Sequence, residues 1–568
     1  MTPGRIGAKP WAMPVARILF VLPLPEPFDY AVPDGMDVSV GSYVTAPLGQ
    51  TERLGVVWDL LGDEAAAGRE LKPVLSVYDV PPMPTAMREF IGWAAKYTVS
   101  HPGHVLGMSL RARGGLLPSP TETVFHLTGE EPKKLTDTRR RVLDAAEEVG
   151  PANAATLAAA AGVSSGVVKG LVSAGALRAE EMAADAPFAV PQPDLPGADL
   201  TGEQAAAADA LKAAMRAGGF AAFLLDGVTG SGKTEVYFEA IAEALRVDPD
   251  AQVMVLLPEI ALTQAILSRF EERFGAAPAP WHSGLSDKER RRTWRETAHG
   301  RARIVIGARS ALFLPYANLK LIIVDEEHDG SYKQEDGVTY HARDMAVMRA
   351  KLEGAGVVLA SATPALETVV NAEAGRYARL MLAARPGMAR LPDVELVDLR
   401  RAPPEKNHWL SPHLIHAMQE TLAAGEQTLL FLNRRGYAPL VLCKACGERL
   451  KTPGTENWLT EHRYSGRLVC HVTGYSIPKP TVCPSCGAKD SLIGVGPGVE
   501  RVAEEVRVLM PEARIEIFSS DTAMGGDATR GIIERMETGE IDVLIGTQIV
   551  AKGHNFPNLT LVGVVDAD

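Results

Sequence analysis

The 568-residue sequence has no apolar run of the length that crosses a bilayer, which excludes a transmembrane helix. Its amino terminus carries basic residues but no long apolar segment with a cleavage site. No secretory signal is therefore expected, and the chain reads as cytoplasmic, with no membrane partner. Basic residues are in deficit, 58 lysines and arginines against 70 aspartates and glutamates, for a net charge of −12. That deficit argues against an indiscriminate polyanion binder, although a local basic face would still serve nucleic acid. Cysteines number only five, and four of them form two C-x-x-C pairs, which read as metal ligands rather than disulfides. What is present is ordinary globular composition, 46% hydrophobic and 23% charged. The length allows about four domains.

The segment around which the chain is organised is Gly227-Val228-Thr229-Gly230-Ser231-Gly232-Lys233-Thr234, a match to G-x-x-x-x-G-K-[ST]. An apolar run at 220–225 predicts a buried strand before it, and the spacing at 235–245 predicts a helix after it. Strand, glycine loop and helix form the setting in which backbone N–H groups cradle phosphates. In that setting Lys233 reaches the β/γ-phosphates of ATP and Thr234 ligates Mg2+.

Before this segment lie two smaller units. In the first, residues 1–112, β-type runs at 17–22 and 43–58 are separated by prolines and an Asp34-Gly35 turn, with Phe28-Asp29-Tyr30 in a loop or at a strand edge. A helix with Phe90, Ile91, Ala94 and Tyr97 on one side follows over 87–99. In the second, alanine-rich unit, residues 113–195, helices are expected at 138–148, 154–161 and 164–174, with a strand-like tail and a Pro/Asp-rich linker. Three short helices and a strand suggest a winged helix, but Lys169 is the only cation on the recognition helix. DNA reading and a spacer or protein-contact role both remain open for it.

From residue 196 the pattern alternates strands and helices, the α/β signature, with one lobe over 196–390 and a second over 391–568. A basic stretch at 288–303 leads into a strand and then Ala308-Arg309-Ser310, a small-residue turn suited to gripping phosphates. Four apolar residues at 321–324 deliver Asp325-Glu326-Glu327-His328 at a strand's carboxyl end. Asp325 is expected to hold the Mg2+ water shell and Glu326 to orient or deprotonate the attacking water.

The motif order, P-loop, Asp-Glu-Glu-His, Ser361-Ala362-Thr363, residues 433–436, Gly546-Thr547-Gln548 and Lys552-Gly553, resembles that of superfamily 2 helicases. Segments 258–263, 307–313, 331–334, 340–344 and 433–439 narrow the resemblance to the PriA family of replication-restart helicases, over almost the whole chain. The resemblance implies two RecA-like lobes, a zinc-binding insert at 441–490, and an ATP-dependent 3′→5′ DNA helicase. Forked and single-stranded DNA, single-stranded DNA-binding protein, and primosome and replicative-helicase loading proteins are its implied partners. In that family the first domain holds a DNA 3′ end, and the match falls on Phe28, Asp29, Gly41 and Lys72. Packing of Phe28 and Tyr30 into that domain's core is the plainer alternative. Gln204 matches a glutamine placed near adenine. Tyr332, Lys333, Tyr340, His341 and Arg343 match an aromatic-rich loop that couples single-strand contact to hydrolysis, and aromatics interleaved with cations suit base stacking.

Two departures stand out. Family members usually carry four C-x-x-C pairs on two zinc ions; here the outer pairs, Cys443, Cys446, Cys483 and Cys486, are complete, whereas the inner positions read Thr452, Thr455, Cys470 and Thr473. One Zn2+ is therefore expected, since a threonine hydroxyl does not replace a thiolate. The sequence also ends at Asp568, before the arginine motif that closes the ATP site in such helicases, so the second lobe reads as incomplete. That suggests weak ATP binding without unwinding, and leaves a fork-binding scaffold with a silent motor, or a duplex translocase, as alternatives.

Overall fold

The computed structural model describes residues 14–62, 69–132, 134–183, 185, 187–258, 264–385, 392–405, 408–432, 440–455, 457–462, 466–470, 472–495, 498–518, 526–547 and 556–565. The expected motif residues 259–263 and 433–439, with Gln548, Lys552 and Gly553, lie outside the described residues. Two compact units emerge, Met1–Glu259 with Leu267–Met388, and Ile260–Ile266 with Ala389–Asp568.

The first unit opens with strands β1 (Val15–Phe20), β2 (Phe28–Ala31), β3 (Tyr43–Leu48), β4 (Thr51–Leu61) and β5 (Ser76–Val77). They form an antiparallel sheet ordered β2-β1-β4-β3-β5, which puts Phe28-Asp29-Tyr30 on an edge strand. The single run expected at 43–58 is a hairpin instead, because Gly49, at φ 65°, adopts the left-handed backbone that reverses the chain. Alternation along β1 sends Ile18 and Phe20 into one core with Tyr30, and Leu19 into another with Tyr43 and Val56. Helices α1 (Thr85–Tyr97) and α2 (Pro102–Ser109) cover that second core.

A small sheet and three helices follow: β6 (Thr121–Leu127), α3 (Asp137–Val149), β7 (Ala152–Asn153), α4 (Ala154–Ala161), α5 (Ser165–Ser173) and β8 (Leu177–Ala183). Their private core centres on Val142, Leu157, Val168 and Leu171. Thr136 and Asn153 start two of the helices by accepting from the Arg139 and Thr156 N–H groups. The segment after β8 is strapped down by Arg291 to Asp185 (2.9 Å), Arg273 to the Leu195 carbonyl (2.9 Å) and Arg292 over the Phe188 ring (3.9 Å).

The largest sheet collects α6 (Gly202–Ala217), β9 (Ala221–Gly227), α7 (Lys233–Val247), β10 (Gln252–Leu256), α8 (Gln264–Phe274), β11 (Ala279–Trp281), α9 (Asp287–Ala298), β12 (Ile304–Gly307), β13 (Leu319–Asp325), the short pair β14 (Lys333–Gln334) and β15 (Tyr340–His341), α10 (Ala342–Glu353), β16 (Gly356–Ser361), α11 (Leu366–Glu373) and β17 (Ala378–Leu382). Its order is β11-β12-β10-β13-β16-β9-β17, parallel throughout. Strands β10, β12 and β16 are buried along their whole length, as runs rich in Val, Ile and Leu require when helices cover both faces.

The core under α1 does not stop near residue 112. It runs on into Trp294, Phe313, Tyr316, Ile322 and Tyr340 of the parallel-sheet domain. Trp294 donates to the Ser109 carbonyl (2.7 Å) and meets Tyr43 edge-on, and a Cβ at Gly115 would lie 2.5 Å from its indole. On α10, Arg349 is fully buried; it donates to Leu312 O (3.0 Å) and Glu353 (2.8 Å), and its guanidinium lies over Phe90 of α1 (5.4 Å). Arg349→Ala leaves Glu353 and a buried carbonyl without their donor, so it is expected to destabilise this unit by about 3–5 kcal/mol. A urea midpoint that does not move would show that the guanidinium contributes nothing there.

The second unit contains α12 (Pro412–Ala423), β18 (Gln427–Leu432), an insert with β19 (Leu440–Cys443), β20 (Thr460–His462), β21 (Arg467–Val469), β22 (Ser476–Pro478) and β23 (Leu492–Val495), then α13 (Val499–Leu509), β24 (Ile515–Phe518), α14 (Gly526–Glu537), β25 (Val543–Gly546) and β26 (Leu559–Val565). Its parallel sheet is ordered β24-β25-β18-β26 around Leu430, Val502, Val506 and Ile545. No single helix among the described residues is long and apolar enough to cross a membrane.

Candidate functional site: a phosphate loop, an acidic strand end and a cysteine knuckle

Strand register brings the chemistry together. Asp325 pairs with Ala360, which pairs with Leu225, so the acidic cluster, the Ser361 turn and the glycine loop share one carboxyl edge. In the loop Gly230 and Gly232 hold φ near +78° and +79°, conformations that side chains other than glycine rarely adopt. A Cβ would lie 2.5 Å from Ser231 Oγ at Gly227 and 2.3 Å from Gln204 Nε2 at Gly232, so the cradle exists only because both are glycine. Ser231 Oγ is buried with no hydrogen-bond partner among the described residues. The Lys233 ammonium, nearly buried, donates to the Gly227 carbonyl (2.9 Å). An open cradle, an orphaned hydroxyl and an ammonium resting on backbone fit a triphosphate. Gln204, expected beside adenine, accepts from Thr201 N (2.8 Å) and donates to Ser231 O (2.8 Å), so it clamps the α6 cap to the loop.

Opposite the loop, burial first and the neighbouring Glu326 second push the Asp325 carboxyl up to about 6, against the pull of Tyr237 and Lys233. Its Oδ2 accepts from the Tyr237 hydroxyl (3.0 Å) and its Oδ1 from Glu326 N (3.0 Å). Glu326 itself sits at φ 47°, a strained backbone for a side chain of this type and one that clusters at functional positions. The third acid, Glu327, is fully buried and accepts from Ala365 N (2.6 Å), Thr368 Oγ1 (3.0 Å) and Arg343 Nη1 (3.3 Å). His328 Nδ1 lies 2.8 Å from Ser361 Oγ. Glu327 and His328 thus tie the acidic turn to the next strand, a division of labour that a run of four polar residues does not announce.

The expected DNA-contacting residues of the parallel-sheet domain separate into two groups. Lys333 is exposed, and Arg309 and Ser310 line a cleft of about 310 Å3 with Arg111, Arg290 and Gln334. Arg309 braces the loop by donating to Ser331 O (2.6 Å) and Lys333 O (2.9 Å). Arg111, which the sequence analysis did not single out, has no hydrogen bond or ion pair among the described residues. The cleft lining contains three guanidinium groups and no carboxylate.

Tyr332, Tyr340 and Arg343 depart from expectation. Tyr332 and Tyr340 are 1% and 3% exposed, so neither ring is available to stack on a base. The Tyr332 hydroxyl is shared between Asp325 O (2.6 Å) and Leu256 O (3.0 Å), Tyr340 packs edge-on against Phe313, and Arg343 is buried on Glu327 and Asp344.

In the amino-terminal sheet Phe28 is 41% exposed, while Asp29 is held by Arg17 (2.9 Å) and Arg69 (3.0 Å), which lower its pKa. Lys72 lends its carbonyl to Ala31 N, beside these residues. Gly41 donates to Val57 O, two strands over on the same cross-strand row, and its φ of 96° and a Cβ position 2.5 Å from Met83 O account for the glycine.

In the insert, the sulfurs of Cys443, Cys446, Cys483 and Cys486 all lie within 4.8 Å of one another, with 3.7 Å between 443 and 486 and 3.9 Å between 446 and 483. A tetrahedron of Zn–S bonds near 2.3 Å has edges of about 3.8 Å, so four thiolates fit zinc. Cys443 and Cys483 sit in the same turn: each N–H donates to the carbonyl five residues on, and each carbonyl accepts from a glycine four residues on. Cys470 repeats that turn with Tyr475 and Gly474, although positions 452, 455 and 473 are threonines. Thr452 and Thr473 draw its thiol down to about 7.

Comparison with known proteins agrees with this geometry. The family model for the PriA 3′ DNA-binding domain matches residues 17–111, and that for the DEAD/DEAH box helicase matches 203–372. Replication restart protein PriA of Rickettsia conorii (strain ATCC VR-613 / Malish 7) is 36% identical over 560 residues, 98% of this chain and 74% of that protein. The protein of the same name from Haemophilus influenzae (strain ATCC 51907 / DSM 11121 / KW20 / Rd) is 34% identical, covering 98% and 77%. That of Bacillus subtilis (strain 168) is 43% identical over 65% of this chain and 46% of its own. The chain belongs to the PriA family of replication restart proteins, ATP-dependent DNA helicases.

Proposed function

We propose that the protein moves 3′→5′ along one strand of stalled or forked DNA and initiates primosome assembly there, with residues 1–112 holding the nascent 3′ end. The residues that support this reading stand on one sheet edge: the Gly227–Thr234 cradle, Asp325 with Glu326, and the guanidinium-lined cleft. Lys233 leaves the Gly227 carbonyl for the β/γ-phosphates, and Glu326 orients water for attack on the γ-phosphorus. Thr234 and Asp325 hold Mg2+, which offsets phosphate charge when bound. Arg309, Ser310, Lys333 and Arg111 grip the backbone of the tracked strand, while Tyr332, Tyr340 and Arg343 support that surface from below. Phe28 presents its exposed ring to the terminal base, and Asp29, once released by Arg17 or Arg69, accepts from it. The cysteine knuckle is structural. Single-stranded DNA-binding protein and the loaders of the replicative helicase are the protein partners in this reading.

ATP-dependent strand displacement on a fork with a 3′ end at the junction tests it directly. DNA-stimulated hydrolysis without displacement would indicate a duplex translocase, and fork binding without hydrolysis a scaffold. Arg111→Ala should weaken single-strand binding uniformly across sequences and lower the slope of log K against log salt by about one. An unchanged salt slope, measured by anisotropy, would remove Arg111 from the strand path.

A further inference from the structure

Tyr237 lies one helical turn into α7, three residues after Thr234 and therefore on the same helix face. Its side chain is fully buried, yet its hydroxyl reaches across to β13 and donates to Asp325 Oδ2 at 3.0 Å. One buried hydroxyl thus holds Asp325, from the same helix that carries Thr234, the other side chain assigned to the metal. The other Asp325 oxygen is fixed by Glu326 N (3.0 Å), so the carboxylate is anchored from two directions.

We propose that Tyr237 is a positioning residue for magnesium: its hydroxyl sets the rotamer and spacing of Asp325 relative to Thr234, so that metal meets a ready-made pair. The proposal rests on the assignment of Thr234 and Asp325 to Mg2+. Groups that orient a ligand from outside the coordination shell are typically worth about 10–100-fold in metal affinity or activity.

The test is the Mg2+ dependence of binding of a fluorescent ADP analogue, in the full chain, with EDTA as the metal-free arm. Tyr237→Phe keeps the ring and removes only the hydroxyl. It is expected to bind metal-free nucleotide as the unsubstituted protein does, while needing about 10–100-fold more Mg2+ for half-maximal gain. Tyr316→Phe is the control: Tyr316 is equally buried in the same sheet domain, its hydroxyl has no partner among the described residues, and the change should leave the Mg2+ midpoint in place. A Mg2+ midpoint unchanged in Tyr237→Phe, or displaced equally in Tyr316→Phe, overturns the proposal. Lys233→Ala separates the two levels: if it binds nucleotide undiminished, the nucleotide-site reading itself falls, and this proposal with it.

Discussion

Lys233→Ala lowers DNA-stimulated ATP hydrolysis by about 10²–10³-fold or more, the typical loss when one preorganised donor is removed from a site of developing charge. The ammonium lies inside the cradle, and its contact with the Gly227 carbonyl is of a kind that phosphate oxygens outcompete. Fork binding is expected to survive, because the residues assigned to DNA lie on the amino-terminal sheet and in the cleft beside Arg309. Phosphate release reports the first effect and a gel shift the second. A parallel loss of fork affinity would mean that nucleotide and DNA share contacts and that the two sites are not separate.

The second large effect concerns the insert. Metal analysis should return one zinc per chain, and its removal should unfold the segment between β19 and β23. The insert's core, with Val441, Leu459 and Leu468 beside Cys443 and Cys483, is too small to stand alone. Structural zinc contributes about 10–16 kcal/mol of apparent binding free energy at neutral pH, more than so small a core supplies. The turn around Cys470 retains the backbone hydrogen bonds of the metal-bearing turns, so the triple change Thr452→Cys, Thr455→Cys, Thr473→Cys should raise the count from one to two. Two ions in the unsubstituted protein, or one in the triple variant, would contradict this.

Much of the site was legible because its determinants are local. A glycine loop between a strand and a helix, and cysteines two apart, carry their geometry in their spacing. The acidic strand end was equally plain. What stayed hidden depends on which way a loop side chain turns. Between Ser331 and Arg343 no helical or strand period separates inside from outside, so Tyr332 and Tyr340 looked like stacking platforms. The sheet buries them instead, because carbonyls of Leu256 and Asp325 satisfy the Tyr332 hydroxyl. Gln204 reads equally well as a base contact or as the third residue of a capping box, and only Ser231 O decides where its amide is spent. Glu327 is indistinguishable from Glu326 until burial separates them. The continuity of the core past residue 112 was invisible for a different reason: apolar positions at helical spacing on α1 announce a buried face without saying what covers it.

That continuous core has a mechanical meaning. Trp294 and Arg349 stitch the edge-strand sheet to the nucleotide-binding sheet through close-packed, low-compressibility contacts. The distance from Phe28 to Gly227 is therefore expected to stay constant through the nucleotide cycle. A spin-label pair spanning those positions should keep one separation with and without nucleotide, so the amino-terminal sheet serves as a fixed datum from which strokes elsewhere in the chain are measured.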